Sequence, residues 1–261
     1  MDTHFNINRF FLVLKRDLLE NGKTALFGML SILGTFSIIV VLISLNSYDK
    51  GVSDYNATFY LIELFIIGIF FSGMAFKDLR NKERSMFYLT LPASTLEKFL
   101  SMLLLTTIGF LVSYTILFGI FNLINIAIIS ALPNALNLDL FNPFIVPEVW
   151  ESIAVFIPLQ AFFLAGSAHF KKTPVLYTSL SLFVLLLIFA FFGFLFIKYL
   201  LDGFTENTGI NIADDSIHLN LQGEFTNIKL TSLLVFNFFS KYLLAPILWT
   251  ITWFKLKEKE V

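Results

Sequence analysis

The chain has 261 residues, 57% of them hydrophobic and 33 of them Phe, with a mean hydropathy of +0.79, values a soluble globular domain of this size does not reach. They mark a membrane domain. The net charge of −1 gives no sign of nucleic-acid binding, and the lack of any cysteine excludes disulfides, thiolate catalysis and thiolate metal sites.

In chain order, Ile7, Phe10, Phe11, Leu14 and Leu18 recur at helical spacing opposite Arg9, Arg16, Asp17 and Glu20. Residues 1–24 are therefore expected to form an amphipathic helix lying in the membrane interface, ahead of the first span. The charged stretch reaches Lys23 and the following apolar run has no small-residue cleavage site, so this is read as a retained segment and not a cleavable signal. Six apolar runs follow: Ala25 to Leu45, Phe59 to Phe76, Phe99 to Leu132, Ile153 to Phe170, Val175 to Ile197 and Ser232 to Phe254. Most are near the roughly 20 residues that an α-helix needs to cross the hydrocarbon. The third is overlong, yet too short for two spans and a turn, and Asn122 to Asn125 suggests where its helix leaves the hydrocarbon. The expected fold is an all-α integral membrane protein, a single polytopic domain with six spans over 25–254 and a short tail at 255–261.

Charge orients those spans. Arg9, Lys15, Arg16 and Lys23 precede the first; Lys77, Arg80, Lys82, Arg84 and Lys98 lie between the second and third; Lys171 and Lys172 separate the fourth and fifth; and Lys255, Lys257 and Lys259 follow the sixth. Segments rich in Lys and Arg stay in the cytoplasm, which predicts a multi-pass protein of the cell membrane with both termini cytoplasmic. The alternate segments are acidic, with Asp49, Asp54, Asp139, Glu148, Glu151, Asp202, Glu206, Asp214, Asp215 and Glu224. In the last of them, the stretches on either side of Gln222-Gly223 alternate in polarity, as in a small β-hairpin.

The loop from Lys77 to Lys98 is the most patterned hydrophilic stretch. A charged helical segment leads into Met86, Phe87, Tyr88, Leu89 and Leu91, Pro92 breaks the helix, and Ser94 with Glu97 forms a capping box that starts the third span. The order and spacing of the interfacial helix, the six spans and this loop, with Glu83, Arg84, Leu89, Leu91, Pro92 and Ser94, resemble the permease subunits of the ABC-2 type ABC transporters. Thr95 stands where that family often has a basic residue, and Glu97-Lys98-Phe99 where a Gly-Lys pair often opens the third span. The resemblance implies an exporter subunit that forms the translocation pathway as a homodimer or with a similar permease. It also implies a coupling helix in this loop, with Glu83, Arg84, Met86, Phe87, Leu89, Leu91 and Pro92 docking on a separate nucleotide-binding ATPase subunit.

The chain itself has no nucleotide site to offer. Gly22-Lys23-Thr24 lacks the earlier glycine of a phosphate-binding loop, since Asp17 stands in its place, so ATP and Mg are expected in the partner and no cofactor here. His4, His169 and His218 are scattered and show no metal-ligand spacing. Two charges fall inside spans, Glu63 in the second and Lys241 in the sixth, and at similar depth they are expected to form an ion pair. Pro158, Gln160 and Pro246 mark kinks or cavity-facing helix faces. A non-transporting scaffold or immunity subunit is the main alternative function. An intramembrane enzyme would require paired acids or clustered histidines that the spans lack, so no catalysis is expected.

Overall fold

The structure is a computed structural model, and it describes residues 5–46, 52–131, 141–196, 210–213, 216–221, 224–228 and 242–260. Helix α1 spans Ile7–Asn46, α2 Val52–Gly73, α3 Lys82–Leu89, α4 Thr95–Leu104, α5 Phe110–Ser130, α6 Pro147–His169, α7 Pro174–Phe196 and α8 Leu244–Glu260. A 3₁₀ turn over Lys77–Arg80 precedes α3, and a π-helical segment over Leu105–Gly109 joins α4 to α5 without a break. Three short strands, β1 (Ile210–Ala213), β2 (Ser216–Leu221) and β3 (Glu224–Ile228), pair antiparallel in chain order. The β2–β3 register sets Leu221 opposite Glu224, with only residues 222–223 between, so the backbone pairs where the alternation in sequence places a hairpin.

Among the described residues, five helical stretches are long and apolar enough to cross a membrane: Ile7–Ser44, Asn56–Gly73, Thr95–Ser130, Pro147–His169 and Pro174–Leu195. The protein is a helical, multi-pass membrane protein. Of the sixth expected span, residues 232–241 lie outside the described residues, and α8 covers 244–254. The third apolar run is one continuous helical stretch, as its length requires.

One expectation is corrected. The amphipathic segment is not a separate interfacial helix, because α1 runs unbroken for 40 residues from Ile7. Its only glycine before the apolar run, Gly22, does not interrupt it, and its first turns are held alongside α4. The charged side turns inward, with Val13 and Asp17 buried, while Ile7, Phe11 and Leu18 stay exposed. The third helix continues past Asn122 to Ser130, and both Asn122 and Asn125 are buried.

Side-chain pairings set the helix directions. Glu97 meets Arg9, Ser101 meets Asp17 and Asn125 meets Ser37, so α1 runs parallel to α4–α5. Tyr60 packs on Tyr114 while Phe71 stacks on Phe110, which makes α2 antiparallel to them. Gln160 reaches Thr106 and Phe156 meets Phe110, so α6 is antiparallel as well. Near the end of α8, the Lys259 Nζ donates to the Ala168 carbonyl at the end of α6. One end of the bundle therefore gathers the start of α1, residues 74–98, the α6–α7 turn and the end of α8, together with most of the basic residues.

In hydrocarbon, apolar contact between helices gains nothing over contact with lipid, so close packing and internal hydrogen bonds must hold them. An aromatic column does so: Tyr60, Phe110, Tyr114, Phe118 and Phe156 form one buried cluster with ring centroids 5.0–6.1 Å apart. Within it the Tyr114 hydroxyl donates to the Tyr60 carbonyl at 2.7 Å. Glycines permit the close crossings. A Cβ on Gly68 would land on the Phe156 ring, one on Gly166 on Thr178, and one on Gly73 would stand 2.6 Å from Val175 Cγ2.

Gly68→Ala should therefore lower the thermal stability of the detergent-purified protein, at about 1–3 kcal/mol for overpacking. Gly28→Ala meets nothing within 4 Å and should raise stability by about 0.5–1 kcal/mol through helix propensity. Equal effects at the two positions would show that the α2–α6 crossing is not tight.

Candidate functional site

The loop at the basic end is a folded part of the bundle. Arg80 donates to the Gly73 carbonyl at 3.1 Å, folding the 3₁₀ turn back on the end of α2 and leaving Asp78 buried behind it. Helix α3 ends at Thr90, whose backbone N–H and hydroxyl both donate to the Met86 carbonyl, at 2.9 and 2.8 Å. After the break around Pro92, Ser94 caps α4: its hydroxyl accepts from the Glu97 N–H at 3.3 Å, and the Glu97 carboxylate accepts from the Ser94 N–H at 2.9 Å. The helix, break and capped helix thus stand where the sequence places them.

Helix α3 is anchored through one residue. Tyr88 is buried, and its ring lies under two cations, with the Arg16 guanidinium 5.9 Å and the Lys98 ammonium 5.8 Å from its centroid. It joins Phe76, Leu79, Phe99, Met102, Leu164, Ala168 and Leu256 in a second core cluster, with Leu91 half-buried against it. The neighbouring residues face the other way: Met86 is 64% and Phe87 75% exposed. Glu83, Arg84 and Pro92 are exposed around them, and Arg84 reaches Asp78 at 3.7 Å. The side chain of Leu89 lies outside the described residues. Of the seven residues expected to dock a partner, Met86 and Phe87 form an apolar pair beside Glu83 and Arg84, whereas Leu91 belongs to the core.

Buried charges fasten this loop to α1. Glu97, with no exposed surface, accepts from the Asn6 N–H at 2.7 Å and pairs with Arg9 at 3.3 Å. Farther along, Asp17 accepts from the Ser101 hydroxyl at 2.7 Å, and Arg16 bridges to Glu20 at 2.9 Å. At the end of α8, burial lowers the pKa of the Lys259 amine, and the nearby Lys171 and Lys255 lower it further. This positive cluster borders the loop.

A second polar location lies at the other end of the bundle. Glu63 is 3% exposed, and it lines a small cavity with Leu33, Ser37, Val40, Asn56, Phe59, Phe118, Phe121, Asn122 and Asn125. Its expected partner, Lys241, lies outside the described residues. Helix α8, the described part of that segment, packs on α6 and α4, while the cavity is walled by α1, α2 and α5. The sequence reading missed Ser37 and Asn56 and gave Asn122 and Asn125 no part beside Glu63. The seven-residue spacing of Asn56 and Glu63, and the three-residue spacing of Asn122 and Asn125, both place polar groups on one helix face and could have revealed them.

No family model matches the chain, and neither a curated protein nor a solved structure matches it significantly.

Glu97→Ala should be the most damaging change in the loop. It removes a carboxylate that pairs with Arg9, leaves the Asn6 and Ser94 N–H groups without their acceptor and takes away half of the capping box, for a loss of about 3 kcal/mol or more in thermal unfolding. Glu83→Ala, fully outside this network, should stay within about 0.5 kcal/mol.

Proposed function

We propose that the chain is the membrane-spanning permease subunit of an ATP-driven exporter of the ABC-2 type. It forms the pathway with a second copy or a similar permease, and couples to a separate nucleotide-binding subunit that carries ATP and Mg. The observation that carries this reading is α3: a short helix at the basic end, fixed through Tyr88, that presents Met86 and Phe87 to solvent beside Glu83 and Arg84. An exposed aromatic next to an apolar neighbour, ringed by charge, has the make-up of an interface anchor. A solvated connection needs no such pair.

The placement of α3 also suits mechanical coupling. Tyr88 touches Arg16 of α1 and Lys98 of α4, and its core cluster includes residues of α6 and α8, so a push on α3 acts on four helices at once. The basic end is placed in the cytoplasm with both termini, and the membrane is the cell membrane, on the strength of the Lys and Arg bias.

Phe87→Ala should weaken co-purification with a nucleotide-binding subunit from the same gene neighbourhood by about 2 kcal/mol, roughly 30-fold in Kd, with membrane insertion intact. Phe87→Asp should abolish it. Undiminished capture of the ATPase by Phe87→Asp would remove the basis of the proposal. Reporter fusions check the orientation independently: an externally active reporter should be silent after Val261 and active within the loop around Asp214.

A further inference from the structure

We propose that the cavity around Glu63 is a binding site for one dehydrated monovalent cation, sodium by its size, inside the membrane-spanning part of the bundle. The inference does not rest on the transport reading. Three helices build the site. Helix α2 buries Glu63 and, seven residues earlier, Asn56; α5 buries Asn122 and Asn125; and α1 adds Ser37. Leu33, Val40, Phe59, Phe118 and Phe121 complete the wall. The space is about 10 Å³, which admits a single water-sized occupant and no hydrated ion.

The hydrogen bonding of the site is unbalanced toward acceptors. Asn125 donates its amide to the Ser37 hydroxyl at 3.2 Å, and the Asn122 carbonyl accepts from the Phe141 N–H at 3.3 Å. That leaves the Glu63 Oε2 and the Asn125 Oδ1, both buried, with no hydrogen-bond partner among the described residues. Unmatched buried acceptors are destabilising, and they are satisfied by a proton donor or by positive charge. A proton on Glu63 is the competing occupant, since the acid hydroxyl it forms is a donor that can serve one acceptor, but it leaves the space between the groups empty. A cation coordinates both oxygens and fills that space.

The donor set selects the class of ion. All the available ligands are hard oxygens, which suit alkali and alkaline-earth ions and not the softer transition metals. Among the described residues that line the cavity Glu63 is the one carboxylate, so it alone supplies the negative charge. One carboxylate neutralises a monovalent ion. A divalent ion there would leave a net positive charge in hydrocarbon.

The test uses the purified full-length chain in lipid nanodiscs, without any partner, and reads ²²Na⁺ retention together with melting temperature in NaCl, KCl and choline chloride at equal ionic strength. The wild type should retain ²²Na⁺ and melt higher in NaCl than in choline chloride, with KCl giving a smaller rise. Glu63→Gln should lose both responses. Should that variant fail to fold, Asn125→Ala provides the second reading and should weaken sodium binding at least about tenfold. Lys241→Met should leave retention unchanged. The proposal is overturned if wild-type melting follows pH but is blind to the cation, which would mean that Glu63 is simply protonated. It is equally overturned if ²²Na⁺ is retained only after Lys241→Met, which would mean that the lysine fills the site.

Discussion

The carboxylate of Glu97 is the fixed point of the basic end. It caps α4, accepts from the Asn6 backbone and pairs with Arg9, so a single fully buried group ties the beginning of α1 to the beginning of α4. Everything downstream inherits that alignment. With their starts joined, α1 and α4–α5 run parallel, Asp17 meets Ser101 one stage farther along, and Ser37 meets Asn125 near the far end. The anchoring of α3 follows as well, since Lys98, next to Glu97, and Arg16, next to Asp17, are the two cations that hold the Tyr88 ring. Hydrocarbon offers no competing hydrogen-bond partners, so a few polar groups at fixed heights determine how long apolar helices are stacked.

Between those polar stations the packing is aromatic. Rings suit this role because each covers a large area with few rotatable bonds and accepts edge and face contacts at several angles. The glycines at 68, 73 and 166 are their counterparts, removing side-chain bulk where a ring, a valine or a threonine from the next helix comes closest. Helix α7 lacks this treatment beyond its first turns, and its apolar surface remains almost entirely uncovered among the described residues.

Much of this was legible in the sequence, and what was missed has a common cause. Apolar length revealed the spans, and the proline and capping box revealed how the 77–98 loop folds, because both are local properties. The interior face of a membrane helix is harder to read, since lipid-facing and protein-facing positions are equally apolar and periodicity no longer separates them. For α1 the usual inference ran backwards: the apolar residues at 7, 11 and 18 face outward and the charged ones pack. Asn122 and Asn125 mark a height along the helix in the sequence, but nothing local shows that they face the interior. Glu97 and Lys98 looked like simple departures from a family pattern, yet both are structural, one as the clamp and the other beneath Tyr88.

The π-helical segment adds a consequence of a different kind. Met102, Thr106, Phe110, Tyr114, Phe118 and Asn122 are all buried and recur every fourth residue. On a regular α-helix such a row is a screw thread, turning by about 40° at each step because 3.6 residues complete a turn. The wider turn over Leu105–Gly109 takes up part of that rotation, so it acts as a phase adjustment between the half of the helix that faces the loop core and the half that faces the aromatic column. Removing one residue there would leave a helix as apolar and almost as long, fully able to enter a membrane. It would also rotate the distal half by about 100° and carry both asparagines away from Glu63.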